Sequence, residues 1–141
     1  MPILPRKGVL AIAAVIEVAL NGRDQPVSAK ALAERHGLPP RHLEPVLQAL
    51  VRVGILRGIR GPHGGYELAR EGGAITVEEI FRAAVSVDAL SSEKASESWL
   101  VTSIVLPALA RAERAFVASL SDLSIDDLVR EVEGTAAKSG W

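Results

Sequence analysis

Three observations predict a mainly α fold. Apolar residues recur at helical spacing in three successive segments of the first half, and each segment is closed by a glycine: Gly22, Gly37 and Gly54. A hairpin pattern follows, with Gly61, Pro62, Gly64 and Gly65 crowded around His63 between two short apolar runs. A long amphipathic segment then extends from about Trp99 to Leu120. Helix, short helix, helix and β-hairpin in this order make a winged helix-turn-helix, here joined to a long helix suited to dimerisation.

Each element has its own signals. Pro5 opens a first helix that ends at Asn21, with Val9, Ile12, Val15, Ile16, Ala19 and Leu20 at helical spacing. Gln25 to Val27 read as a connector. Ser28 caps a short helix, Ala29 to His36, with Val27 and Leu32 as its hydrophobic staple. A third helix runs to about Val53 with Leu43, Val46, Leu47, Leu50 and Val51 on one face. Pro45 lies inside it, so the first turn is expected to be irregular or regular helix to begin only near Pro45. Ile55 to Arg60 and Tyr66 to Arg70 are the expected strands. Thr76-Val77-Glu78-Glu79 is a capping box, stapled by Ile75 and Ile80, for a helix to about Val85. Ser86 to Ser98 read as a loop or frayed helix start. In the long segment Leu100, Ile104, Val105, Ala108, Leu109, Ala112, Phe116 and Leu120 form an apolar row, and Pro107 is expected to kink it. That row is the expected contact of a homodimer. Ser124 caps a last helix to about Glu133, with Asp126 and Asp127 near its positive end and Leu123 and Leu128 as its staple. Gly134 to Trp141 read as a loose tail.

The chain has 141 residues, no cysteine, 48% apolar residues and 4% aromatics. It is long enough for one domain with an appended helix, and its core must be built from aliphatic side chains. Disulfides and thiolate metal sites are excluded. The net charge of −1 hides a division. Residues 1–75 hold ten Lys/Arg against six Asp/Glu, a net +4, and residues 76–141 hold six against eleven, a net −5. The expected organisation is therefore a winged helix-turn-helix DNA-binding domain over 1–75, then a helical linker, dimerisation helix and C-terminal helix over 76–141. Gly8 to Leu20 is apolar behind Arg6 and Lys7, but Glu17 interrupts it, no cleavage pattern follows and it is too short to span a bilayer. A soluble, cytoplasmic protein with no membrane association is expected.

A polyanion-facing half that carries a helix-turn-helix points to double-stranded DNA. The second helix of the pair would enter the major groove with Arg41, His42, Glu44 and Gln48 near base edges. Arg can hold guanine bidentately, Glu can accept from cytosine, and Gln can pair with adenine. Ser28 and the helix start it caps are suited to a phosphate. The wing offers Arg57, Arg60 and His63 around the thin tip Gly61, Gly64 and Gly65, which suits close approach to a narrow minor groove. No histidine stands beside a paired Asp and Ser, and no helix carries two histidines one turn apart, so the chain does not read as an enzyme. The glycine-rich tip lacks the Gly-Lys-Ser/Thr ending of a phosphate-binding P-loop.

The stretch Ser28–Tyr66, with Leu43-Glu44, Gly54-Ile55-Leu56 and Arg60-Gly61-Pro62-His63-Gly64-Gly65-Tyr66, resembles the iron–sulfur cluster regulator (IscR-type) family of winged-helix transcriptional regulators. Nitric-oxide-responsive and cysteine-metabolism repressors belong to the same family. Lys7-Gly8 and Leu123-Ser124-Ile125-Asp126-Asp127-Leu128 resemble its flanking motifs, which adds Lys7 to the candidate DNA contacts. The resemblance implies a homodimer that binds a partly palindromic operator and represses, with Glu44 and Arg60 contacting DNA. It departs at Arg41 and His42, where the family often has Ser and Tyr, and at Pro45, usually Gln, so no relative's operator is borrowed.

The larger departure is the sensor. Many members hold a cluster with three cysteines where this chain runs Ser86 to Leu100, which offers Asp88, Glu93, Glu97 and Trp99 but no Cys or His. An oxygen-only iron–sulfur site is not credible, and the scattered acids read as solvated, so neither cofactor nor metal is expected. Trp99 is expected in the core; the competing expectation is that it lines a small-molecule pocket between this loop and the long helix. The signal is left open between a small-molecule effector, a partner protein and nothing beyond protein concentration. The alternative to DNA binding is a winged-helix protein-interaction module that regulates a partner protein.

Overall fold

The computed structural model describes residues 5–22, 25–91 and 98–139, with side chains placed outside 86–91 and 136–139. Three helices, α1 (Arg6–Asn21), α2 (Ala29–Arg35) and α3 (Pro40–Arg52), precede an antiparallel hairpin, β1 (Leu56–Ile59) and β2 (Gly65–Leu68). A 3-10 turn, Gly72–Ala74, leads into α4 (Val77–Ser91). A π-helical turn, Val101–Val105, runs into α5 (Leu106–Ser119), and a 3-10 turn, Leu120–Asp122, leads to α6 (Ile125–Ser139). The fold is mainly helical with a two-stranded wing, the winged helix-turn-helix arrangement read from the sequence.

The core is aliphatic. Ala11, Ala14, Val15 and Val18 of α1 meet Leu32, Leu43, Leu47 and Leu50 of the next two helices. Ile80, Ala83 and Ala84 of α4 and Ile125 and Val129 of α6 belong to the same cluster, so one core crosses residue 75. Small residues on α1 let α4 approach closely: a Cβ on Gly8 would stand 2.7 Å from the Phe81 ring. This explains the glycine of the Lys7-Gly8 motif.

Several boundaries differ from expectation for local reasons. α3 is helical from Pro40 through Pro45, not irregular in its first turn. Pro40 stands where an unpaired N–H costs nothing, and Pro45 lies on the exposed face, where water can serve the carbonyl that its missing N–H leaves unbonded. The connector is partly a strand: Val27 and Tyr66 exchange backbone hydrogen bonds of 2.9 and 2.8 Å, which ties the chain before α2 to the wing. β1 and β2 are shorter than Ile55–Arg60 and Tyr66–Arg70.

The second half is more helical than expected. α4 continues to Ser91, well beyond Val85, because no glycine or proline interrupts it. Residues 92–97 of the expected loop, with Glu93 and Glu97, lie outside the described residues. α6 passes through the exposed Gly134 to Ser139 instead of leaving a tail from Gly134. Before Pro107 the helix answers with a π-turn: the Leu106 N–H bonds to the Val101 carbonyl, five residues back. This register widens the turn just ahead of the proline ring.

The caps predicted for α4 and α6 both form. Thr76 Oγ1 accepts from the Glu79 N–H at 3.2 Å, and Glu79 Oε2 accepts from the Thr76 N–H at 3.1 Å. Ser124 and Asp127 repeat this reciprocal pair at 3.1 and 2.9 Å. The two caps are joined: the Val77 N–H donates to Leu123 and the Ile125 N–H donates to Ile75, at 2.9 Å each. The starts of α4 and α6 are thus held side by side.

Candidate nucleic-acid interface

α3 owes its orientation to its apolar face. Leu43, Val46, Leu47 and Leu50 are buried, and this turns Arg41, His42, Glu44 and Gln48 to the exposed side. Among the described residues no hydrogen bond or ion pair engages the side chains of Arg41, His42 or Glu44. Gln48 is directed toward the wing, its amide 3.4 Å from the Tyr66 hydroxyl.

The wing and α3 bound a groove of about 600 Å3. It brings together Ser28, Gln48, Arg60, Gly61, Gly64 and Gly65, six of the residues picked from the sequence. Tyr66, which is not among the site residues picked from the sequence, also lines it. Its backbone pairs with Val27 on one side and faces Gly58 across the hairpin on the other, and its hydroxyl meets Gln48. Its position, directly behind the glycine tip in a strand, was the available signal.

The tip is tight. The Gly64 N–H donates to Gly61 at 2.9 Å, and a Cβ on Gly64 would stand 2.1 Å from the Ile59 carbonyl oxygen. No side chain fits there without reshaping the turn. His63 is exposed at this tip. Ser28 does cap α2, accepting from the Ala31 N–H at 3.1 Å. Its hydroxyl oxygen is therefore already engaged.

Lys7 stands apart from the wing, around a second groove with Arg6, Leu10, Leu38, Arg41, His42 and Pro45. Arg6 was not picked from the sequence, though it adjoins Lys7 and opens the same helix. Arg57 is drawn away from the α3 groove. It pairs across the hairpin with Glu67 at 2.8 Å and faces the last turn of α1 near Val18, Ala19 and Gly22. His36 belongs to the scaffold: it meets Glu17 at 2.9 Å, and Arg35 meets the same carboxylate at 3.2 Å, which fastens α2 to α1.

Arg70 fixes the base of the wing. It donates to the Gly54 and Ala74 carbonyls at 3.2 and 3.1 Å and to Glu79 at 2.9 Å. Burial raises the Glu79 pKa, but the Thr76 N–H and the Arg70 guanidinium outweigh it and hold the carboxyl below its ordinary value of 4.5. The same side chain thus caps α4 and anchors the wing.

The expected dimerisation row is exposed in the single chain. Leu100 is 56%, Ile104 51% and Leu109 61% exposed, and Val105, Ala108, Ala112 and Phe116 are also on the surface, with Leu120 half-buried. Phe116 touches the body edge-on, its ring centroid 5.7 Å from that of Phe81, and Val117 is the buried residue of α5. Trp99 corrects an expectation: at 68% exposed it is not in the core of this chain. α5 offers too few inward side chains to cover it. The side chains of 86–91 and all of 92–97, which would form the other wall of the expected pocket, are outside the described residues.

These features define a winged-helix protein of the DNA-reading type, with an exposed helix face and a glycine-tipped wing flanking one groove. Residues 4–131 match the profile of the Rrf2 family, described as an iron-dependent transcriptional regulator, and the chain belongs to that family of transcriptional regulators, which are not enzymes. It is 39% identical over 87 residues to the HTH-type transcriptional regulator IscR of Enterobacter sp. (strain 638) and of Klebsiella pneumoniae, covering 61% of this chain and 53% of either relative. The chain thus spans about half the length of the curated relatives it matches. Among solved structures it is similar to T. potens IscR (TM-score 0.70, 26% identity, 94% of this chain and 89% of the other). It is also similar to CymR, the global cysteine regulator of B. subtilis (TM-score 0.68, 26% identity, 91% and 96%).

The iron implied by the family description does not fit the donors of this chain. There is no cysteine for a thiolate-held cluster, and among the described residues no three His, Asp or Glu side chains converge. No described helix is long and apolar enough to cross a membrane.

Proposed function

We propose that this chain binds double-stranded DNA as a homodimer and represses transcription at a partly palindromic operator, without an iron–sulfur cluster. The observation that carries the reading is the groove between α3 and the wing, where Gln48, Arg60 and the glycine tip converge beside an exposed row of Arg41, His42 and Glu44. α3 enters the major groove and reads base edges through Arg41, Glu44 and Gln48, while the tip carries Arg60 and His63 to the minor groove. Ser28 and Lys7 lie at the two flanks and meet phosphates. Arg57, neutralised by Glu67, contributes least. Functionally, residues 1–75 read DNA and 76–141 assemble the dimer.

The second copy is the occupant that best suits the α5 row. Its apolar side chains are too many and too continuous to leave in water, and a two-fold partner presents the same row in return. The two reading heads then match half-sites about one helical turn, ~34 Å, apart. Such a protein works at the chromosome, hence in the cytoplasm.

The test is a gel shift against the promoter upstream of its own gene and against pooled genomic fragments. A shift that weakens steeply with salt supports the reading, since phosphate contacts release counterions. No shift with any fragment, together with co-purification of a protein partner, would replace it by the protein-interaction alternative.

A further inference from the structure

Reading DNA engages the basic rim of the second groove but not its apolar floor. About 450 Å3 in volume, this groove lies between the first turns of α1 and α3 and falls in the size range of small-ligand clefts, roughly 300–1,000 Å3. Its walls have two chemistries. Leu10, Leu38 and Pro45 form an apolar floor, and among the described residues that line it the ionisable side chains are basic: Arg6, Arg41 and His42, with Lys7 beside them already engaged in a contact of its own. A DNA phosphate would use only the rim and leave the floor in water.

We propose that this groove binds a small amphiphilic anion, an alkyl or aryl group bearing one anionic head. The apolar part lies on Leu10, Leu38 and Pro45, and the head sits among Arg6, Arg41 and His42. Pro45 suits this role because its ring presents carbon where another helical residue would present a longer, mobile side chain. Arg41 and His42 also stand in the first turn of the reading helix, so an occupied groove withdraws them from DNA. That consequence rests on the DNA-binding reading; the binding itself does not.

The probe is octyl phosphate, titrated calorimetrically into the intact protein without DNA, with inorganic phosphate and octanol as comparators. One saturable site per chain is expected, with both comparators weaker by at least about thirtyfold, because each buried methylene contributes roughly fourfold and the head adds its own ion pairs. Arg6 and Arg41 are exposed, so Arg6→Ala and Arg41→Ala should keep the thermal midpoint while weakening octyl phosphate about three- to tenfold each. Leu38→Asn should weaken it similarly. Affinity indifferent to all three replacements would put the alkyl chain on the exposed α5 face and overturn the proposal. Inorganic phosphate binding as tightly would overturn it too, leaving the rim to DNA phosphates alone. In a DNA titration, saturating octyl phosphate should raise the Kd about tenfold. A chain that binds octyl phosphate but no DNA would refute the reading of the previous section and leave this site standing.

Discussion

Arg60 follows the last residue of β1 and lines the groove that faces α3, whereas Arg57, three residues earlier, is held by Glu67 on the other side of the hairpin. The two arginines therefore separate in their expected effects. Arg60→Ala should weaken operator binding about tenfold and lower the salt slope by about one unit, measured by fluorescence anisotropy across a salt series. Arg57→Ala should change affinity less than about threefold, because its charge is already balanced. Equal losses would mean that the Glu67 pair opens on DNA. Gly64→Ala tests the tip itself. Its Cβ would meet the Ile59 carbonyl at 2.1 Å, so the wing must reshape, and DNA affinity should fall at least about tenfold with the helical circular-dichroism signal intact. The sequence already showed which residue types crowd this tip. It could not show that Arg57 spends its charge on Glu67, because cross-strand pairing depends on the hairpin register, Arg57 opposite Glu67, which only the folded chain sets.

The elements were legible wherever a local rule governs them. Thr76 with Glu79, and Ser124 with its following acids, announce helix starts because a cap joins residues three apart in the chain. Thr76→Ala should cost about 1 kcal/mol in chemical denaturation. Acidification should act at the same place. The folded pKa of Glu79 is lowered, so its contribution is present above the unfolded value near 4.5 and is lost as the pH falls through the folded value. Glu79→Gln should therefore lower the thermal midpoint at pH 7, and the gap from the parent should narrow as the pH falls below the unfolded value near 4.5. A gap that does not narrow on acidification would place the effect in shape and not in charge. Helix ends were less legible. α4 and α6 run past their expected limits because nothing in the local sequence forbids it, and Gly134 is tolerated where it meets no neighbour. Pro45 and Pro107 lie inside helices on exposed faces with opposite outcomes, regular α in one and a π-turn in the other, so a proline alone does not fix the local register.

At the scale of the molecule, one aliphatic core binds α1 to α4 and α6, while α5 keeps its apolar row outside. Leu109→Asp should leave the monomer folded, since that side chain is 61% exposed, and convert a dimer to a monomer in analytical ultracentrifugation. Affinity for a two-half-site operator should drop at least about a hundredfold with single half-site binding unchanged, because only the tethering of two heads is lost. A dimer that survives Leu109→Asp would move the interface elsewhere. The sequence by itself determined the class of fold, the order of its elements, the glycine tip and the absence of thiolate ligands, because helical period, caps, turns and composition are properties of neighbours along the chain. The tertiary structure alone decided that Tyr66 joins the connector, the wing and Gln48, that Arg70 ties the wing to α4, that Trp99 faces outward, and that Arg6 and Lys7 meet Arg41 and His42 around one groove. Those pairings join residues far apart in the chain, and they follow from packing one shared core, which no local pattern specifies.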